Sequence, residues 1–225
     1  MKRITVLLSD DHMIVREGFR KMLELEKDIE VVGEAQDGRQ AIVMAKKFRP
    51  QVVLMDIAMP LLNGLEATRQ LLKLLPETKV LMLSAHSDDA YVQNATESGA
   101  VGFLLKQTSA LIVCQAIREV VKGKTFFSPQ LTERLAHQNQ KASDRSGALK
   151  KRNIGLTSRE MEVLQLIAEG KANKQTAAEL GIGIKTVEKH REHLMEKLNI
   201  HDTAGLTRYA ISAGIIESSV QLTIV

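Results

Sequence analysis

The first 123 residues alternate between short apolar runs and longer amphipathic segments, and this alternation constrains the fold more than any other feature of the chain. The intervening segments have the length of helices, about 10–15 residues. Five such βα repeats predict a parallel sheet with helices on both faces. The predicted strands are ITVLLS (4–9), IEVVGE (29–34), QVVLM (51–55), KVLMLS (79–84) and VGFLL (101–105).

Right-handed crossovers between these strands give a compact, doubly wound α/β domain over residues 1–123. In such a domain the chemistry collects at the carboxyl ends of the strands. The residues at the carboxyl end of each predicted strand are therefore the first candidates for a functional site.

Residues 154–225 have a helical pattern. In LTSREMEVLQLIAEG, Ser158 is a plausible N-cap and Gly170 a C-terminal stop, and NKQTAAELG is a shorter helix that stops at Gly181. The next segment, IKTVEKHREHLMEKLNI, is longer and rich in charged side chains. Two short helices followed by such a helix predict a helix-turn-helix.

Residues 124–153 differ from both flanks. They hold seven Lys and Arg against two Asp and Glu, whereas residues 1–123 hold sixteen of each and residues 154–225 hold eight against nine. We interpret the segment as a linker, with SPQLTERLAH as one further helix. Its positive charge fits either a solvated linker or an aid to nucleic-acid binding.

Composition excludes several protein classes. Hydrophobic residues make up 44% of the chain, so it is globular, and its single cysteine, Cys114, allows no intramolecular disulfide. Cys114 lies in an apolar run and is expected in the core. No apolar span is long enough for a membrane helix, and the N-terminus meets acids too early for a signal peptide. We expect a cytoplasmic protein with no membrane partner.

Carboxylates end two strands that should be neighbours. Asp10 and Asp11 follow the first predicted strand and Asp56 the third, so three acids meet at one edge and should raise each other's pKa. A Mg²⁺ ion would offset their repulsion. Ser84 ends the fourth strand and Lys106 follows the fifth. A cation plus a lysine around one carboxylate suits phosphoryl transfer, with Asp56 as the nucleophile.

Each member of this set has a simpler interpretation. Asp10 or Asp11 alone could cap the helix that follows, Ser84 could be a loop hydroxyl, and Lys106 could be a surface charge. Four strand ends with suitable chemistry together favour the phosphoryl-transfer interpretation.

These motifs resemble the receiver domain of bacterial response regulators. The resemblance covers residues 3–122 and rests on SDDH (9–12), LMDIAMP (54–60), LSAH (83–86) and GAVGFLLK (99–106), which occur in the family's order and spacing. It departs from the pattern at Gln107, where many receivers have proline, and at Ala58, where others carry a polar or bulky side chain.

The resemblance implies a flavodoxin-like fold and a role for each matching residue. Asp56 would accept a phosphoryl group from a histidine kinase. Asp11, Asp56 and the backbone carbonyl of Ala58 would hold Mg²⁺, with Asp10 acting partly through water. Ser84 and Lys106 would bind the phosphoryl oxygens. Phe103 would be the aromatic switch, although a core aromatic is the simpler interpretation.

The segment from residue 154 to 217 is similar to LuxR-type DNA-binding domains, which with the receiver indicates the NarL/FixJ family. The resemblance implies four helices, of which the third, at 184–198, enters the major groove. Residues 202–216 would add a dimer face. Gly183, where Ser or Thr is common, and Thr176, where an aliphatic residue is usual, depart from the pattern.

The residues of that third helix leave two interpretations open. Spaced Glu and Lys residues also form ordinary solvated helix faces, and His190 could be a partly buried structural residue. If the helix binds DNA, Glu188, Lys189 and Glu192 point outward and could contact bases. The candidate phosphate contacts are Lys185, Thr186, His190 and Arg191.

Three functions compete. The first is a transcription factor, not an enzyme, in which phosphorylation of Asp56 controls dimerisation and promoter binding. The second is a constitutive DNA-binding protein with the receiver as a dimerisation module, and the third is a hydrolase with an aspartyl-phosphate intermediate. The complete set of strand-end residues argues against the second, and the helix-turn-helix argues against the third. We expect the first.

Overall fold

A computed structural model of the chain describes residues 3–85, 89–127 and 155–216, which form two compact units, one within residues 1–153 and one within residues 154–225. No helix in these ranges is both long and apolar enough to cross a membrane. The elements, in chain order, are β1 Ile4–Ser9, α1 Met13–Glu24, β2 Ile29–Ala35, α2 Gly38–Phe48, β3 Val52–Asp56, α3 Gly64–Leu74, β4 Lys79–Ser84, α4 Asp89–Glu97, β5 Gly102–Leu105, α5 Ala110–Val121, β6 Phe126–Phe127, α6 Ser158–Ala168, α7 Asn173–Leu180, α8 Ile184–Leu198 and α9 Thr203–Ser212.

The first unit is built on a parallel sheet with strand order β2-β1-β3-β4-β5-β6. The predicted doubly wound α/β fold is therefore confirmed. Every residue of β3 is buried, because helices cover both faces of the sheet and exclude water from both sides of its central strands. Since β1 and β3 pair directly, their carboxyl ends share one edge.

Two apolar layers hold the helices against the sheet. Buried side chains of α2, α3 and α4 pack on one face in a layer that includes Phe103, and those of α1 and α5 pack on the other in a layer that includes Cys114. Cys114 is a core residue, as its apolar surroundings in the sequence predicted.

The sheet has one strand more than the sequence predicted. Phe126 and Phe127 form the short β6, which pairs with β5 at the edge of the sheet. This corrects the five-strand prediction and the assignment of these two residues to a linker. A two-residue strand is too short to show periodicity, so its pattern could not be recognised. Residues 128–154, including the predicted helix SPQLTERLAH, lie outside the described residues.

The second unit consists of four helices, α6 to α9, in its described part. The predicted bounds of α8 agree with the structure. The C-cap of α7 is Gly181, the predicted stop, and its φ of 63° lies in the left-handed region that glycine favours. The predicted cap of α6 was one residue late. Thr157, not Ser158, is the N-cap, because Thr157 and Glu160 form a reciprocal capping box.

Candidate functional site

An acidic cluster lies at the carboxyl edge of the sheet. Asp10, Asp11, His12 and Asp56 each place one potential ligand atom within 4.8 Å of the others. Asp10 and Asp56 are 2% and 1% exposed, whereas Asp11 and His12 face solvent. The structure thus brings together the three carboxylates that strand order predicted, and adds an imidazole to which the sequence assigned no role.

Lys106 lies between the two buried carboxylates. Its Nζ is 2.9 Å from Oδ2 of Asp10 and 3.0 Å from Oδ2 of Asp56. Its backbone N–H donates to the carbonyl of Ser84 over 2.8 Å, which fixes the start of the loop after β5 against the end of β4. One ammonium group therefore neutralises part of the charge of two acids that water hardly reaches.

The electrostatics of this cluster perturb both partners. Burial raises the pKa of Asp56, and the nearby charge of Asp10 raises it further, so that it reaches about 7 even though Lys106 opposes the shift. Burial alone would lower the pKa of Lys106, but Asp56 and Asp10 hold it above its ordinary value. Lys106 therefore stays charged. The ionised form of Asp56 is disfavoured by its surroundings, and a second bound cation would stabilise it.

The loop after β3 fits closely around Asp56. The N–H of Ile57 donates to Leu83 on β4, and the N–H of Gly64 donates back to Ile57 over 2.8 Å. A Cβ at position 64 would lie 1.9 Å from the backbone oxygen of Asp56, so only glycine fits there. Asn63 caps α3 by accepting from the N–H of Glu66.

Arg16 supports the other side of the cluster, and sequence reasoning missed it. Its Nη1 donates to the backbone carbonyl of Asp10 over 2.8 Å, and its Nε lies 2.8 Å from Oε2 of Glu34 on β2. Arg16 is only 6% exposed. The sequence did carry a signal for a buried role of Arg16. This charged residue is three positions before Phe19 and seven before Leu23, so it lies on the apolar stripe of α1.

The other predicted residues of this site lie along the same edge or beneath it. Ser84 is buried at the end of β4, and Ala58 is half-buried in the loop after β3. Phe103 is fully buried in the middle of β5, in the apolar layer beneath α4. The alternative that Asp10 or Asp11 caps α1 is wrong, since His12 is the N-cap and Asp10 instead accepts the N–H of His12 over 2.8 Å.

The donor set of the cluster suits a hard divalent cation. Oδ1 of Asp56 is buried and has no hydrogen-bond partner among the described residues, and leaving such an oxygen unpaired is costly. Mg²⁺ binds carboxylate oxygens together with water and phosphate oxygens. The carboxylates of Asp10, Asp11 and Asp56 therefore fit a magnesium ion.

In the second unit, α8 presents one apolar and one charged face. Val187, Leu194 and Leu198 are buried against the rest of the unit. The exposed predicted residues are Lys185, Thr186, Glu188, Lys189 and Glu192.

Two predicted contacts on α8 are less exposed than the others. His190 and Arg191 are half-buried. The guanidinium of Arg191 donates to Thr203 over 2.8 Å and lies 3.4 Å from the side-chain oxygen of Asn173. Arg191 thereby links α8 to both neighbouring helices, which gives it a structural role that the sequence did not indicate.

Comparison with known families matches both units. Residues 6–118 match the response regulator receiver domain, and residues 155–210 match the bacterial regulatory proteins of the luxR family. The chain belongs to the LuxR-type response regulators. It is a two-component response regulator with a receiver domain and a LuxR-type DNA-binding domain that regulates transcription.

Relatives of this response regulator match nearly its whole length. The transcriptional regulatory protein DegU of Brevibacillus brevis is 35% identical and covers 96% of each chain. The response regulator protein VraR of Staphylococcus aureus is 37% identical over 95% of this chain and 99% of its own. A solved structure of RcsB from Salmonella typhimurium is 27% identical, with a TM-score of 0.61 over 95% of this chain and 99% of that one.

Proposed function

We propose that phosphorylation of Asp56 by a histidine kinase controls the binding of this response regulator to DNA. The observation that carries the proposal is the environment of Asp56: a 1% exposed carboxylate at a strand end, 3.0 Å from Lys106, with a second buried acid beside it. Such a group is shielded from water and surrounded by charges that act on a phosphoryl group.

The transfer itself is a displacement at phosphorus. An Asp56 oxygen forms the new P–O bond while the P–N bond to the kinase histidine breaks, and the imidazole leaves. Lys106 and the Ser84 hydroxyl would bind the phosphoryl oxygens. Asp10 and Asp11, with Asp56 and the backbone carbonyl of Ala58, would hold Mg²⁺. The ion supplies positive charge against the acids and the phosphoryl group.

The response to phosphorylation would pass through the fourth and fifth strands. Movement of Ser84 toward the phosphoryl group would open space into which Phe103 repacks, and so would shift an equilibrium between inactive and active forms. We propose that the active form dimerises, and that α9 contributes to the dimer face.

DNA binding would use α8 in the major groove. Glu188, Lys189 and Glu192 would contact bases, and Lys185, Thr186, His190 and Arg191 would contact phosphates, although the bonds of Arg191 within its unit leave it less reach. A structure of two RcsB dimers bound to two parallel DNAs supports DNA binding by a dimer, by analogy. We propose a cytoplasmic location, where such a kinase and DNA are accessible, and no enzymatic turnover of a separate substrate.

The test compares the full chain with and without beryllofluoride and Mg²⁺, beside Asp56→Asn. Sedimentation reports dimerisation, and titration of a promoter fragment reports DNA affinity. We expect the mimic to increase one or both in the wild type and neither in Asp56→Asn. Equal DNA binding by both proteins under all conditions would make the receiver a scaffold, and phosphate turnover without DNA affinity would favour a hydrolase.

A further inference from the structure

The exposed face of α8 is richer in carboxylates than a phosphate-binding surface requires. Glu188, Glu192 and Glu196 are exposed and follow one another at intervals of four residues, which places them on one side of the helix. The structure shows no ion pair for any of the three among the described residues. Like charges at this spacing repel, so the row costs helix stability rather than adding to it.

Several basic residues of the same unit are occupied within it. Lys197 pairs with Glu160 at 2.7 Å, Arg159 pairs with Glu162 at 2.8 Å, and Arg191 is bonded to Asn173 and Thr203. Residues 155–216 hold eight Lys and Arg and eight Asp and Glu, so the described part of the unit has no net positive charge. Its attraction to DNA of arbitrary sequence is correspondingly small.

We infer that α8 recognises cytosine through Glu188 and Glu192, and that these carboxylates make binding selective by repelling DNA in which they find no partner. The inference rests on the proposed use of α8 in the major groove. There, the cytosine amino group is a hydrogen-bond donor that a carboxylate can accept. A carboxylate that finds no such donor loses its water beside the negative phosphates and gains no hydrogen bond. This lowers the affinity for every sequence that lacks cytosine at that position.

The position of each acid along the helix assigns its role. Recognition helices contact base edges mainly through their N-terminal residues. Glu188 and Glu192 lie in the first nine residues of α8, while Glu196 lies in its last turn, two residues before the end at Leu198. Glu196 therefore belongs to the same charged row but lies beyond the base-reading part, which makes it a matched control.

The experiment is selection of bound duplexes from a randomised library by the full chain with beryllofluoride and Mg²⁺, using wild type, Glu188→Gln, Glu192→Gln and Glu196→Gln. We expect the wild type to enrich sites with a C·G pair at two positions. Glutamine prefers adenine, so each of the first two variants should lose the cytosine at one position, with about a ten-fold change in base preference. Glu196→Gln should keep the wild-type motif.

Each result has a single meaning. Enrichment of a motif that does not change in Glu188→Gln and Glu192→Gln overturns the carboxylate readout but leaves DNA binding by α8 in place. Failure of the wild type to enrich any sequence overturns the proposed function and this inference with it. Circular dichroism of each variant checks that the helices are intact. In Glu188→Gln and Glu192→Gln, non-specific DNA binding should be tighter, and the binding constant should fall more steeply with salt concentration, than in the wild type.

Discussion

The buried guanidinium of Arg16 holds the backbone carbonyl of Asp10, and no carboxylate side chain of the acidic cluster takes part in that bond. Arg16 is in turn fixed by Glu34 of β2, which also pairs with Arg20. The loop that carries Asp10 and Asp11 is therefore attached to the neighbouring strand through a side chain of α1.

Replacing Arg16 should loosen that loop. We expect Arg16→Gln to lower the free energy of unfolding by about 2 kcal/mol or more, because a buried carbonyl and Glu34 each lose a charged donor. It should also weaken Mg²⁺ binding, and Arg16→Lys should rescue little because lysine lacks the forked geometry. Urea denaturation and calorimetric titration with Mg²⁺ measure the two effects.

The exposed pair Arg3–Glu30 provides the control for Arg16. Its side chains are 54% and 41% exposed, so Arg3→Gln should change the unfolding free energy by less than about 1 kcal/mol and leave Mg²⁺ binding unchanged. Unchanged Mg²⁺ affinity in Arg16→Gln, despite lower stability, would restrict Arg16 to a purely structural role.

Asp56 should make stability depend on pH when no metal is bound. Its pKa is raised by burial to about 7 from an ordinary value of 3.8. The folded state therefore binds a proton that the unfolded state has released, so stability falls as pH rises from about 4 to about 7. In EDTA, Asp56→Asn should remove this slope and be more stable than wild type at pH 8 by a few kcal/mol.

Asp28 offers a control of opposite sign. The hydrogen bond from Arg118 lowers the pKa of Asp28 below its ordinary value of 3.8. Ionised Asp28 therefore stabilises the folded state, and this stabilisation is complete at pH values above 3.8. Asp28→Asn should therefore destabilise the chain at neutral pH, where Asp56→Asn stabilises it. Calorimetric unfolding across pH 4–8 distinguishes them, and a wild-type slope that persists in Asp56→Asn would exclude Asp56 as its origin.

Thr176 carries a buried hydroxyl in the core of the second unit. The residue is fully buried, and its Oγ1 has no hydrogen-bond partner among the described residues. Thr176→Val keeps the shape and removes the polar atom, so we expect an increase in unfolding free energy of about 1 kcal/mol. Thr207→Val is the matched control, since its hydroxyl donates to the carbonyl of Thr203 and its loss should not stabilise the unit.

The pair Glu160–Lys197 joins α6 to α8. Burial on its own raises the pKa of Glu160, but hydrogen bonds from Lys197 and Thr157 outweigh it and hold the pKa below its ordinary value of 4.5. The pair's contribution is therefore complete above pH 4.5 and is lost as pH falls through the lowered pKa. In Glu160→Gln, the free energy of unfolding should therefore fall less than in the wild type when the pH is lowered below 4.5.

The two partners of this pair should not be equivalent. Lys197→Met should destabilise more than Glu160→Gln, because it leaves a carboxylate that is 4% exposed without its cation. Denaturant unfolding at pH 7 compares the two variants. Equal effects would mean that the capping bonds, rather than Lys197, hold Glu160 in place.

The arrangement at the sheet edge followed from sequence because strand order determines which ends meet. Asp10 and Asp56 are 46 positions apart, yet an apolar run before each predicted neighbouring strands, and the parallel sheet brings them together. The bounds of α8 followed from the resemblance to LuxR-type domains, which implied the same residues, 184–198, that the structure gives.

Other contacts gave little signal in the sequence. The bond from Arg16 to a backbone carbonyl depends on how α1 packs against the sheet, which periodicity does not specify. The two residues of β6 were too few to form a pattern. Thr157 and Ser158 both suit an N-cap, but only Thr157 is followed three residues later by a Glu, so the capping-box spacing was the signal that identifies it. For Arg16 and β6, tertiary geometry decided what the local sequence pattern left open.

Gly64 is a position outside the acidic cluster at which a single substitution should abolish the response of the receiver to phosphorylation. Because any side chain there would meet the backbone oxygen of Asp56 at 1.9 Å, even alanine must displace the residue that we propose as the phosphoacceptor. Signal loss in a genetic screen of this regulator should therefore map to a codon eight positions away from Asp56, with no change to any acidic residue.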